Sequence, residues 1–352
     1  MVPESRDGGQ EAERESGPVS ASEWRQVLAP YRVPSAARAV WQVTSTLGAL
    51  LAVWVVLFLV VPGWWYLAVP LVVVAGGLQV RLFILFHDCT HEALFPSRRV
   101  NAVVGAMTGV LNFTPFRHWR WEHGRHHASA GDLDRRGTGD IWTMTVQEYQ
   151  EASRWRRFTY RLARNPVVLF GIAPVIVFAF WQRIPSKGCG PVERRSVWWT
   201  NLAILGLVGG IGSCFGLAEY LVLQTGVLMV AGAAGVWLFY VQHQFEGVTW
   251  SRRTQWTYLA AALEGSSFYR LPRVLQWFSG SIGFHHLHHL DPRIPNYNLE
   301  RCHRAVARFI DVQPITLVGS LRSLRFRLWD EATRRLVGFR DLPRGFARLK
   351  TR

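Results

Sequence analysis

The chain has 352 residues, including 17 Trp and 20 Phe, and sets 40 basic against 24 acidic residues for a formal charge of +16. A length that would suit two soluble domains is thus joined to an aromatic-rich composition that points to the bilayer. Its four cysteines, Cys89, Cys189, Cys214 and Cys302, are scattered and form no CxxC pair, which argues against a disulfide framework and against an internal iron–sulfur centre.

Residues 1–22 are polar, acidic and rich in Glu, Ser and Gly. With no apolar core of their own they are expected to be a disordered tail, and they lack the basic start and apolar stretch of a cleavable signal peptide. A folded domain is expected over residues 23–310, followed by a basic interfacial tail over 311–352.

Within that domain, charge and apolar residues are kept apart. No Lys or Arg occurs between Arg38 and Arg81, and none between Arg195 and Arg252. A span needs ~20 residues, so each block can cross, turn and cross back. The first predicts helices over about 41–61 and 64–86 with a Pro62-Gly63 turn. The stretch 101–116 is short and Gly-rich and reads as interfacial. Residues 166–181 are also short, carry Pro174 in their middle and have arginines on both sides, so they read as interfacial or re-entrant. The second long block predicts helices over about 197–217 and 219–241, turning near Ala218. The positive-inside rule then places both tight turns outside and both termini in the cytoplasm. The expected fold is an all-α integral membrane protein: two transmembrane hairpins, making four spans, with interfacial helices and a cytoplasmic helical cap. There is no internal repeat and no nucleotide-binding glycine motif. The arginines suit topology and anionic lipid better than nucleic acid.

Ten of the 12 histidines fall in three clusters: His87 and His91; His118, His123, His126 and His127; His285, His286, His288 and His289. The first has i, i+4 spacing, which puts two rings on one helix face. EHGRHH and HHLHH share i, i+3, i+4 spacing in His123, His126 and His127 and in His285, His288 and His289. His243 follows the fourth predicted span directly. With two hairpins and a non-spanning 166–181 segment, all of these sites emerge on the cytoplasmic side. Neutral imidazole suits Fe, Zn, Cu or Ni, and nine rings suit two ions with open positions. His118, His286 and His303 are expected not to ligate.

HDCTH, HGRHH and HHLHH resemble the three histidine boxes of the membrane fatty acid desaturases. The segments GDLDRRGTGDIWTMTVQEY, YVQHQFEG, AALEGSSFYRLP, GFHHLHHLDPRIPNYNL and RLWDEATRRLVGF look like those of the bacterial acyl-lipid type, of the delta-12 or omega-6 branch. The resemblance implies a non-haem di-iron enzyme of the bacterial inner membrane, with its metal site cytoplasmic. Such an enzyme uses O2 and two electrons to introduce a cis double bond into an acyl chain. The ligands it implies are His87, His91, His123, His126, His127, His243, His285, His288 and His289. In animal acyl-CoA desaturases an Asn four residues before the histidine matching His243 contributes through water; here that position is Phe239.

Carboxylates beside the boxes, Asp88, Glu92, Glu122, Asp132, Asp140, Glu246 and Asp291, are candidates to hold the ligand rings. The chain has no flavin, dinucleotide or haem fingerprint, so an external donor such as ferredoxin with its reductase is implied. A lipid hydroxylase or a carotenoid-modifying oxygenase of the same superfamily is the nearest alternative. A non-catalytic metal-binding membrane protein is a second one, but transport would call for ionisable residues at mid-membrane depth, which the hairpins lack.

Overall fold

The computed structural model describes residues 21–137, 139–307 and 312–342. The acidic tail therefore lies outside the described residues except at its end, as do residues 343–352. A short amphipathic helix, α1 (Ala21–Leu28), buries Trp24 and Leu28 in the cap. Then α2 (Ala36–Trp64) starts on Ser35, whose side chain accepts the Arg38 amide N–H, a serine N-cap that satisfies one of the first turn's free donors. After a 3-10 turn over Trp65–Leu67 comes α3 (Ala68–Thr90). Pro62 and Gly63, read from the sequence as the turn, instead form the last turn of α2.

These two helices are an antiparallel hairpin. Leu57 packs with Ala68, Leu50 packs with Ala75 and Leu78, and Thr46 Oγ1 accepts from Arg81 Nε at 3.1 Å. The C-terminal half of α3 is buried almost all round, as its continuous run of apolar residues requires. Its polar exceptions are held: the Gln79 amide donates to Leu111 O and Asn112 Oδ1, and the Arg81 guanidinium stacks on Trp277.

Next come α4 (Arg98–Leu111) and α5 (Phe116–Ser129), followed by α6 (Val146–Glu151), capped by Thr145 and Glu148 in a reciprocal pair of bonds. α7 (Arg154–Ala163) meets the stretch 168–183, which contains α8 (Ala173–Ala179), at a bend of 59°. The second hairpin is α9 (Pro191–Phe215) and α10 (Leu217–His243). Its break falls at Gly216 rather than near Ala218, because φ there is +94°, a conformation glycine adopts without strain. α10 packs along α3 through Val227 and Leu223, while Phe58 stacks on Phe215 at 4.3 Å. Both hairpin turns therefore sit at one end of the bundle, and the opposite ends of α3 and α10 meet.

The cap is completed by α11 (Tyr258–Leu263), α12 (Arg273–Phe278), α13 (His285–Leu290) and α14 (Asn296–Val306). It is not wholly helical. Strands β1 (Met144–Thr145), β4 (Leu328–Asp330) and β5 (Arg335–Val337) form one small sheet, and β2 (Phe268–Arg270) pairs in parallel with β3 (Pro314–Thr316) in another. The chain thus goes on past residue 310 into folded elements, with Leu328 and Trp329 fully buried against Tyr160 and Trp250.

Among the described residues, the stretches Ala36–Thr90, Pro191–Phe215 and Leu217–His243 are long and apolar enough to cross a membrane, and the bent pair would add another if it made one span. The first stretch is itself the α2–α3 hairpin. Apolar side chains such as Leu59 and Val222 point outward, at 74% and 73% exposure. Trp41 and Trp64 bracket α2 roughly 35 Å apart at 1.5 Å per residue, close to the ~30 Å of a hydrocarbon core with its aromatic girdles.

One buried charge ties the bundle to the cap. Arg164 is 2% exposed and donates to Gln244 Oε1 at 2.9 Å, Phe326 O at 3.1 Å and Tyr240 Oη at 3.3 Å. Arg164→Ala leaves Gln244 Oε1 without its donor and opens a cavity beside Tyr240 and Phe326, whose oxygens keep their bonds to Arg327. It should lower stability by about 2–4 kcal/mol, read as a lower thermal midpoint of the detergent-solubilised protein.

Candidate metal centre

Nine histidines converge where α3, α5, α10 and α13 meet, in two adjoining groups. His87, His91, His123, His127 and His288 form the first; His126, His243, His285 and His289 form the second. Within each group one nitrogen per ring lies within 4.8 Å of all the others. α3 and its C-cap residue send His87 and His91 to the first group, and α10 sends His243 to the second.

The helical spacing of the other two boxes divides them. On α5, His123 and His127, an i, i+4 pair, face the first group while His126 faces the second. On α13 the i, i+4 pair His285 and His289 faces the second group and His288 the first. One helix face thus serves two centres. They adjoin closely: His127 stacks on His289 at 4.2 Å between ring centroids.

The donor set fits metal. Nε2 atoms approach in pairs at 3.0 Å (His123 and His127), 3.1 Å (His127 and His288), 3.2 Å (His126 and His243) and 3.0 Å (His243 and His285). Neighbouring nitrogens each ~2.1 Å from one ion stand about 3 Å apart. His91 Nε2 and His289 Nε2 are buried with no hydrogen-bond partner among the described residues, an arrangement that needs a ligand to satisfy it. Burial first, then repulsion from neighbouring rings, pushes His91, His123, His127, His285, His288 and His289 well below their ordinary range. They are neutral at physiological pH, as metal ligation demands.

The far ring nitrogens show what orients them. His87 Nδ1–H donates to Asp88 Oδ1 at 3.2 Å, and His126 Nδ1–H donates to Asp140 Oδ1 at 2.7 Å. His243 Nδ1–H donates to the Gly265 carbonyl at 3.1 Å. Each bond leaves Nε2 free for an ion. His123 is oriented by stacking instead, its ring lying on Trp119 at 4.2 Å and 19°.

The other five candidate carboxylates are placed elsewhere. Glu92 pairs with Arg98 and Arg120, Glu122 accepts from Ser186 Oγ, Asp132 pairs with Arg135, Glu246 lies near Arg322, and Asp291 binds Arg32 and Arg293. They brace loops around the centre and touch none of the nine rings. His118, His286 and His303 lie outside both groups. His118 Nε2 accepts the Ser186 amide N–H at 3.1 Å, and His286 packs against Phe268 and His303. Phe239 packs its ring on both His126 and His243, each at 5.2 Å.

Two supports escaped the sequence reading because they lie in segments read there without a chemical role. Gly265 supplies the carbonyl for His243, and a Cβ on it would stand 2.5 Å from Ala261 O. Asn296, in IPNYN, donates through its backbone N–H at 2.7 Å and its side chain at 2.9 Å to Asp88 Oδ2. It thereby fixes the carboxylate that holds His87.

Helices apolar enough to span a bilayer, with a histidine-only centre able to hold metal where they emerge, define a class of membrane-bound metalloprotein. The sequence matches the fatty acid desaturase family over residues 62–318. A fatty acid desaturase of Bacillus subtilis is 42% identical over 315 residues, 90% of either chain. An sn-1 oleoyl-lipid 12-desaturase of Picosynechococcus sp. is 26% identical over 260 residues, covering 69% of this chain and 70% of its own. An sn-1 acyl-lipid omega-3 desaturase (ferredoxin) of Synechocystis sp. is 26% identical over 240 residues, 66% and 65% of the two chains. The chain belongs to the fatty acid desaturase family.

Asp88→Ala and Asp140→Ala each remove the acceptor that orients a ring. Both should weaken metal retention about 10–100-fold, measured as metal per chain after dialysis against graded chelator, whereas Glu246→Ala should match the unaltered protein.

Proposed function

We propose that this chain is an acyl-lipid desaturase of the omega-6/delta-12 kind, forming a cis double bond at a pair of iron ions held by the nine histidines. The observation that carries this reading is the split of the histidines into two contiguous, nitrogen-only groups in a member of the desaturase family. Nitrogen donors of this kind suit iron among the borderline metals. Iron supplies the activation of O2 that no amino-acid side chain can provide at an unactivated methylene.

The protein's part is to hold, orient and exclude. Asp88, Asp140 and the Gly265 carbonyl keep the ring protons on Nδ1, leaving Nε2 toward the centre. The seven rings that are buried keep bulk water out. Phe239 closes an apolar wall on His126 and His243, where a side chain able to hold water would otherwise stand. Overall O2 becomes two waters with four electrons, two from the donor and two from the acyl C–H bonds. Two of the four protons leave the chain and two come from solvent.

The same reading places four spans in the bacterial inner membrane, α2, α3, α9 and α10, with both hairpin turns outside and the histidines at the cytoplasmic surface. It is supported by the two turns sharing one end of the bundle and by the absence of basic residues from both apolar blocks. The bent pair around residues 164–168 is then re-entrant, beginning and ending on the cytoplasmic side. A ferredoxin-type carrier with its reductase supplies electrons, a reading supported by the Synechocystis relative, whose name includes ferredoxin.

Gas chromatography of lipids from a host of defined fatty-acid content should show a new diene in cells making the protein. The diene should vanish with His288→Ala or His126→Ala, each with a fall in iron per chain. A hydroxylated chain without a new double bond would replace desaturation by hydroxylation in this reading.

A further inference from the structure

The two histidine groups differ in how they meet the surface. All four rings of the second are buried, whereas His91 and His123 of the first are only partly buried. Directly after His91 the chain turns through Glu92, at φ +57°. The Glu92 carboxylate lies between Arg120 at 2.8 Å and Arg98 at 3.1 Å. Arg98 is 87% exposed. Arg99, next to it at the start of α4, and Arg117, one turn before Arg120 on α5, are also exposed. Four guanidinium groups against one carboxylate leave this rim strongly positive. Trp119, half-buried, extends the π-surface of His123 by stacking on it.

We infer that this rim is where the electron carrier docks: an acidic, soluble one-electron protein whose redox group comes to rest over the His91 and His123 edges. The inference rests on the desaturase reading and adds to it the surface and the charge of the partner. Electron tunnelling falls steeply with distance, so a carrier must approach the metal where the protein wall is thinnest, and the first group meets the surface through two of its own ligands. A positive rim steers a negative partner and sets its orientation more than its final affinity. Per turnover two carriers dock in succession, each oxidised by one electron.

The test uses the iron-loaded full chain in discs of zwitterionic phosphatidylcholine, so that anionic lipid does not compete for the arginines. Turnover is driven in one arm by a [2Fe–2S] ferredoxin with its reductase and NADPH, and in another by dithionite through a small mediator. Arg98→Glu with Arg99→Glu should raise the KM for ferredoxin about tenfold relative to the mediator-driven rate of the same variant, and should flatten the dependence of KM on salt. Arg154→Glu with Arg156→Glu, on the basic outer face of α7, should leave that KM where it was. Equal KM shifts from the two pairs, or no shift from the first, would overturn the docking surface. If the unaltered protein formed no double bond in either arm, the desaturase reading would fail with it.

Discussion

The constraint on which this structure turns is the crowding of nine imidazoles in one place, seven of them buried. A polar nitrogen shut away from water without a partner costs on the order of 1–3 kcal/mol, and here such nitrogens face one another at 3.0–3.2 Å. Everything around them serves to make that crowd tolerable. The two hairpins bring the ends of α3 and α10 together, α5 and α13 lie across those ends, and α1 and α14 pack behind α13 through Trp24, Leu28, Leu299 and Cys302. Gly283 allows Tyr269 O to come so near that a Cβ would sit 2.3 Å away, which sets the approach of the chain to His285.

Around the rings, the supports come from distant parts of the chain. Asp88 is gripped by Asn296, which exchanges hydrogen bonds with Gln42, so α2, α3 and α14 meet at the carboxylate that orients His87. Tyr297, the next residue, accepts the Ser35 amide N–H and donates to Leu94 O, tying the start of α2 to the loop after the first histidine box. The IPNYN segment is therefore a clasp, and its polar residues are explained by what they hold rather than by contact with the centre.

Much of this was legible because two periodicities are strong in the sequence. Blocks free of Lys and Arg marked α2, α3, α9 and α10, and the i, i+3, i+4 repeats marked the rings that meet. What stayed hidden depended on contacts between remote segments. Turn positions shifted by a few residues, since Pro62 is accommodated within the last turn of α2 and the second hairpin breaks at Gly216, at positive φ. The strands are two or three residues long and owe their pairing to neighbours such as Met144 and Leu328, so no alternation announced them. Proximity in sequence also misjudged the carboxylates. Glu92 and Asp291 sit beside histidine boxes yet turn to arginines, whereas Asp140 reaches His126 from a loop beyond the helix.

The division of α5 and α13 between the two groups has a thermodynamic consequence. An ion seated among His123, His127 and His288 holds both helices in the orientation that also presents His126, His285 and His289. The ordering that a first ion would impose is therefore already in place for a neighbour, so two ions would fill the groups cooperatively, and by linkage the loss of either would loosen the grip on the other. On the proposed pair of irons, half-loaded protein would then be the scarce species, and a chain short of iron would divide into empty and full molecules rather than form a uniform population carrying a single ion.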